Sequence, residues 1–96
     1  MQASPQALAA IRNLRNEKKF VPTDYYPGAP DEDIRERCEA WVNRFIDEVS
    51  DLLAHDSPKG DIFFRARTLC DAFSEEDTEE REHVGDYLGE VMSRNW

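Results

Sequence analysis

The stretch from Ile34 to Leu53, IRERCEAWVNRFIDEVSDLL, carries the most regular hydrophobic pattern in the chain. Its apolar residues recur every three or four positions, which is the spacing of one face of an α-helix. We predict a helix that begins after Asp31 or Asp33, either of which can cap it, and that ends near His55. We expect the other elements to pack against its apolar face, which comprises Ile34, Cys38, Trp41, Val42, Phe45, Ile46, Val49, Leu52 and Leu53.

Two shorter helices are predicted on either side of this stretch. Each begins with a serine followed by a proline, at Ser4-Pro5 and at Ser57-Pro58, and this pair is typical of a helix N-terminus. The first helix should end near Lys18, with Leu8, Ile11 and Leu14 on its inner face. The later helix is expected to face the core with Ile62, Phe63, Ala66, Leu69, Cys70 and Phe73.

The segment FVPTDYYPGAP, residues 20–30, separates the first helix from the second and contains three prolines and one glycine. This composition interrupts helices, so we predict an ordered linker. Its aromatic residues, Phe20, Tyr25 and Tyr26, are expected to pack over the core; the alternative is an exposed aromatic patch that binds a peptide. Because no segment alternates with a period of two, we predict an all-α fold, a compact bundle of about four helices forming a single domain over residues 1–96.

A fourth helix is predicted from DTEEREHVGDYLGEVM, Asp77 to Met92. Asp77 and Glu80 have the spacing of an acidic capping box, and further acidic residues in the first turns complement the positive end of the helix dipole. The acidic start is therefore explained first by helix formation and only secondarily by binding. One apolar stripe follows, made of Val84, Tyr87, Leu88, Val91 and Met92.

Two glycines, Gly85 and Gly89, lie within this fourth helix on the flank of its apolar stripe, next to Arg81. A glycine in a helix interior costs about 1 kcal/mol relative to alanine, so both positions need an explanation. A flat glycine surface allows another backbone to approach closely. The neighbour could be another part of this chain or a partner molecule, and the sequence leaves both interpretations open.

The chain has 96 residues and a formal net charge of −9, which is unevenly distributed. Residues 1–30 have four basic and two acidic side chains (+2), and residues 31–96 have eight basic and nineteen acidic side chains (−11). Such a surface repels phosphate backbones and anionic lipids, so we expect neither nucleic-acid nor membrane binding. It attracts a basic protein, although acidity can also serve solubility alone. Without a secretory signal or a long apolar run, the expected compartment is the cytoplasm.

One set of side chains on the fourth helix has the spacing of a metal site. Glu79, His83, Asp86 and Glu90 share a helix face, and carboxylates with imidazole at such spacing can hold a metal ion. This face is predicted to point away from the apolar stripe, and no second helix offers a matching set. We therefore interpret it as a solvated polar face and expect no metal.

No other pattern favours an enzyme. Cys38 and Cys70 lack a companion at metal-ligand spacing, and both are predicted to be buried thiols. There is no glycine-rich phosphate loop, and no set of nucleophile, histidine and acid can be singled out. We expect no catalytic residues and no cofactor.

The fourth-helix stretch resembles the closing helix of a small bacterial family of domains of unknown function, whose members show a D-T-E-x-R-E-x-V-x-x-Y-x-x-x-I-M run. The earlier pieces KKFVP, YPG and RFID look similar as well, so the resemblance covers roughly residues 18–96. It implies a compact, mostly helical fold and supplies no activity. The chain departs from the pattern at Gly85 and Gly89, and it matches at Glu79, Arg81, Glu82, Val84, Tyr87 and Met92.

These observations favour a small acidic protein-binding module. The sharpest form of this hypothesis is an immunity or antitoxin-type inhibitor that masks a basic site on a partner protein. The alternative is a structural or regulatory helical module that acts as a homodimer and has no inhibitory role. The candidate partner-binding residues are Glu79, Arg81, Glu82, Gly85, Asp86, Gly89 and Glu90.

Overall fold

The computed structural model describes residues 5–55, 58–76 and 78–95, which form four α-helices and contain no strand. The helices are α1 (Pro5–Asn16), α2 (Glu32–Ala54), α3 (Lys59–Ala72) and α4 (Thr78–Asn95). The prediction of an all-α bundle of about four helices is confirmed. Among the described helices α2 and α4 each contact the other three, whereas α1 and α3 do not touch each other. None of the four is long and apolar enough to cross a membrane.

Side-chain hydrogen bonds to backbone groups are found at the ends of two helices. Asp31 caps α2, because its Oδ1 accepts a hydrogen bond of 2.8 Å from the backbone N–H of Ile34. The first helix ends at Asn16 rather than near Lys18. The buried ammonium of Lys19 donates hydrogen bonds to the backbone carbonyls of Arg15 (3.2 Å) and Glu17 (2.9 Å). These are carbonyls that a helix end leaves without an intrahelical partner. The predicted caps Ser4, Ser57 and Asp77 lie outside the described residues.

The core lies along the apolar face of α2, as the sequence predicts. Each of the other helices and the linker contributes side chains to it. Trp41 and Tyr87, which we expected in the core, are half-buried and pack against it. The buried apolar residues are Ile11, Leu14, Phe20, Tyr26, Cys38, Val42, Phe45, Ile46, Val49, Leu53, Ile62, Leu69, Phe73, Val84 and Val91.

The inner face of α3 is narrower than the sequence suggests. Its buried residues, Ile62 and Leu69, lie on a single line that continues to the buried Phe73 directly after the helix. This line is called the seam of α3. Phe63 and Cys70, which were predicted to point inward, each follow a seam residue directly and are exposed, Phe63 by 52%. One position along a helix is a rotation of about 100°, so these two side chains leave the seam.

The thiols of Cys38 and Cys70 therefore differ in burial. Cys38 is fully buried, as predicted, and burial raises the pKa of its thiol to about 12. Cys70 is an exposed free thiol. The prediction that both cysteines are buried is wrong for Cys70, because it lies beside the narrow seam of α3.

The two glycines of α4 have free space around them. Gly85 and Gly89 are exposed, and no described atom outside their own helical surroundings would lie within 4 Å of a Cβ added at either position. The interpretation that another part of this chain packs against them is wrong for the described residues. The prediction of a partner molecule at this flank stays a prediction.

Phe45→Ala should lower the free energy of unfolding by about 3–5 kcal/mol, because Phe45 is buried in the core and its loss leaves a cavity. Chemical denaturation of the purified protein measures the change. Phe64→Ala is the matched control: Phe64 is 65% exposed, and its substitution should change stability by less than about 0.5 kcal/mol. Equal effects of the two substitutions would contradict this core.

Gly85→Ala and Gly89→Ala should each stabilise the protein by up to about 1 kcal/mol, because alanine has the higher helix propensity and space is free at both positions. Gly28→Ala should do the opposite, since Gly28 has a φ of +90° and its Cβ would lie 3.0 Å from the ring of Pro22. The midpoint of thermal unfolding, measured for the three variants and the wild type, shows whether each substitution stabilises or destabilises the protein. Destabilisation by the α4 substitutions would indicate an unseen packing contact.

Candidate protein-binding cleft

Lys19, the residue directly before the linker, is attached to the bundle by two side chains of α2. Glu39 accepts a hydrogen bond of 3.0 Å from the backbone N–H of Lys19, and Arg35 donates one of 3.1 Å to its carbonyl. The same guanidinium donates to the Glu39 carboxylate at 2.9 Å, so the two side chains hold each other. The Lys19 side chain is itself buried, which lowers the pKa of its ammonium. These bonds fix where the linker leaves α1.

Phe20 then enters the core in an unusual backbone conformation. Its φ is +59°, in the left-handed region that bulky residues rarely adopt. The conformation is held by two hydrogen bonds, from the Phe20 N–H to the Tyr87 hydroxyl (3.0 Å) and from the Ala29 N–H to the Phe20 carbonyl (3.1 Å). The buried ring lies against the rings of Phe73, Tyr26, His83 and Tyr87.

Tyr26 joins the linker to the start of α4. Its hydroxyl donates a hydrogen bond of 2.7 Å to the Oε2 of Glu80, whose side chain is only 2% exposed. Burial, followed by the bond to Glu80, raises the pKa of Tyr26, so the phenol remains a donor. A buried carboxylate is tolerated where such a donor satisfies it. Glu80 therefore has a structural role in addition to its predicted place in the capping box.

A cleft of about 390 Å³ lies where the linker meets α4. The linker forms one wall and the first two turns of α4 form the other. Tyr25 at its edge is 99% exposed, whereas Tyr26 is buried at the base. The cleft is lined by Tyr25, Tyr26, Pro27, Glu79, Glu82, His83 and Asp86.

Three carboxylates give this cleft its charge. Glu79, Glu82 and Asp86 are exposed, and within the described part of the chain neither glutamate forms an ion pair. Asp86 lies 3.3 Å from the Nδ1 of His83, the only nitrogenous side chain in the lining. Among the described residues no arginine or lysine lines the cleft, which leaves a negative surface beside an exposed aromatic ring.

The environment of the His83 side chain differs from the one that we predicted. It was assigned to a solvated polar face, but its side chain is only 11% exposed, and its ring stacks on Tyr26 with centroids 4.0 Å apart. The linker folds over this position, and the α4 pattern alone gives no sign of that contact. Glu79, Asp86 and Glu90, the other members of the predicted face, are exposed as expected.

The structure brings together three of the seven predicted partner-binding residues. Glu79, Glu82 and Asp86 line the cleft, whereas the remaining candidates, Arg81, Gly85, Gly89 and Glu90, are exposed and do not line it. The aromatic wall was missed as part of the site. Its signal in the sequence is the dipeptide Tyr25-Tyr26 before Pro27, which we interpreted mainly as core packing. Among the described residues no group of three or more His, Cys, Asp and Glu side chains is arranged to hold a metal ion.

Tyr26→Phe should lower the free energy of unfolding by about 1–3 kcal/mol at neutral pH, because it leaves the buried Glu80 carboxylate without its donor. The folded state raises the pKa of Tyr26 above its ordinary value of about 10, so its contribution is complete below that pH and is lost above it. Denaturation at a series of alkaline pH values should therefore show a shallower decline for Tyr26→Phe than for the wild type.

Tyr25→Phe is the matched control for that substitution, because the Tyr25 side chain is exposed. It should change stability by less than about 0.5 kcal/mol at any pH tested. A Tyr26→Phe protein as stable as the wild type would show that the hydrogen bond to Glu80 contributes nothing.

Comparison with known proteins assigns the chain to a family. Residues 2–94 match a domain of unknown function, DUF4844, and since this match spans nearly the whole chain, the protein belongs to that family. The resemblance to a family of domains of unknown function is confirmed in this form. No curated protein and no solved structure matches the chain.

Proposed function

We propose that this chain is a small protein-binding module and that its acidic cleft receives a basic segment of a partner protein. The observation that carries the proposal is the row of three exposed carboxylates, Glu79, Glu82 and Asp86, beside the exposed ring of Tyr25. These groups lie on α4 and on the linker, both of which are anchored to the core.

The chemistry of the cleft suits a lysine or arginine side chain. An aromatic face accepts the aliphatic stem and the cation of such a residue, and carboxylates form charge-assisted hydrogen bonds to its head group. Glu79 and Glu82 form no ion pair with a described residue, so binding a lysine or arginine of another protein breaks no described ion pair of these two carboxylates. The net charge of −9 would also speed the encounter with a basic protein through long-range attraction.

An inhibitory role is the sharpest form of this proposal. A small acidic protein that covers a basic surface can block a toxin or an enzyme without chemistry of its own, as immunity and antitoxin-type proteins do. We place such a role in the cytoplasm of a bacterium. A reading frame for a basic, toxin-like protein adjacent to this one in the genome would support it.

The second candidate function is a homodimer with a structural or regulatory role. The observation that favours it is the open flank at Gly85 and Gly89, where another helix could approach closely. Sedimentation of the wild type over a range of concentrations tests it. A dimer that dissociates on Gly85→Leu would favour this function over a basic partner.

Reversing the cleft charges with Glu79→Lys, Glu82→Lys and Asp86→Lys should leave the fold intact and abolish capture of the partner. Affinity capture from the native host with wild-type and reversed baits, followed by mass spectrometry, identifies the proteins that depend on the cleft. With the purified partner, association should slow in the reversed variant, and the difference should shrink at high salt because surface charges act over about 10 Å.

The control for net charge is a triple reversal of exposed acids outside the cleft: Asp33→Lys, Asp51→Lys and Asp61→Lys. It changes the total charge by the same amount and should slow association far less. A control that slows association as much as the cleft reversal would show that only total charge matters. Capture that is indifferent to both sets of charges would contradict the proposal.

A further inference from the structure

A second surface, which shares no residue with the cleft, lies between α2 and α3. A groove of about 170 Å³ runs between these helices, and its floor is apolar. It continues past the indole of Trp41 into a second hollow of about 210 Å³. The floor is formed by Trp41, Phe45 and Leu69, and the rim carries Arg44, Glu48 and Arg65.

The apolar surface extends beyond the groove along α3. Phe64 lies one turn before Thr68, which lines the groove, and 65% of its side chain is exposed. Among the described residues the large exposed hydrophobic side chains are Tyr25, Phe63 and Phe64, and two of these are on α3. Contiguous exposed apolar surface beside a groove is typical of an interaction site.

The rim of the groove has a positive excess within a strongly acidic chain. Both Arg44 and Arg65 direct their Nε at the single carboxylate of Glu48, at 3.1 Å and 3.3 Å. Neither guanidinium forms an ion pair with any other described carboxylate. One carboxylate cannot use all the donors of two guanidinium groups, each of which offers five N–H groups. The two guanidinium groups therefore keep N–H donors that Glu48 does not occupy, and the Arg44 guanidinium lies over the Trp41 ring of the floor, 5.6 Å from its centroid.

We infer that the α2–α3 groove is the docking site for an amphipathic helix of a partner protein that carries carboxylates beside its apolar stripe. Two packed helices with an apolar groove between them accept a third helix, whose side chains at helical spacing fill the groove. Tryptophan, which lies on the floor of the groove, and arginine, which lies on its rim, are among the residue types that contribute most to such interfaces. The carboxylates of the partner would complete the hydrogen bonding of Arg44 and Arg65.

A second copy of this chain fits the groove less well. A two-fold contact whose axis passes through the groove would bring Arg44 and Arg65 of one copy close to the same residues of the other, and like charges that face each other oppose association. Charge complementarity therefore favours an acidic partner helix.

The experiment is a selection from a phage-displayed library of randomised helical peptides on the full chain, followed by titration of the enriched peptides. A Trp96→Phe background leaves Trp41 as the sole tryptophan, so its emission reports occupancy of the groove. We expect peptides that combine large apolar residues at helical spacing with Asp or Glu, and a saturable change in Trp41 emission on binding.

Two variants of α3 identify the site. Arg65→Gln should weaken binding of the enriched peptide about tenfold or more, since it removes a charge-assisted hydrogen bond. Arg67→Gln, on the same helix but outside the groove lining, should change the affinity by less than a factor of two. Both side chains are exposed, and circular dichroism checks that each variant is folded.

Three results would overturn the inference. The first is enrichment of basic peptides alone, which the acidic cleft would capture. The second is equal affinity of the enriched peptide for wild type, Arg65→Gln and Arg67→Gln. The third is a concentration-dependent dimer that Phe64→Ser dissociates, which would make a second copy the occupant.

Discussion

The side chain of Phe20 contacts aromatic rings from the linker, from the end of α3 and from α4, and its backbone is held between α2 and α4. Tyr87 on α4 accepts the hydrogen bond of its N–H, and Glu39 and Arg35 on α2 hold the residue before it. A left-handed backbone at a bulky residue costs about 1–2 kcal/mol and persists only where the surroundings enforce it. Here they do so from several elements at once, so the positions of the helices and the path of the linker depend on one another.

The candidate cleft is a consequence of this constraint. Once Phe20 is anchored, the linker has to run across the first turns of α4, and Gly28 turns it back over Pro22 with a positive φ. Tyr26 then reaches Glu80 in the interior, and Tyr25 remains outside. The aromatic wall of the cleft is thus held by the same contacts that close the core, and it needs no separate loop to position it.

The two candidate surfaces have opposite local charge. The cleft presents the carboxylates of Glu79 and Glu82, which pair with no described cation, and the α2–α3 groove presents two guanidinium groups that share one carboxylate. A chain with a net charge of −9 would be expected to repel acidic partners everywhere. A local excess of arginine over an apolar floor offsets that repulsion at one place. Under the two proposals, the protein would bind a basic segment and an acidic segment on separate surfaces.

The sequence alone determined the four helices, the buried face of α2 and the strongly acidic character of the chain, because these follow from spacing and composition along the chain. It also placed Glu79, Glu82 and Asp86 among the candidates. Only the tertiary structure decided that Glu80 is buried while its neighbour Glu79 is exposed, and that His83 stacks on Tyr26. Periodicity within one helix shows which residues share a face, but not what lies against that face. The bond between Phe20 and Tyr87 joins residues 67 positions apart, and no local pattern encodes such a pairing.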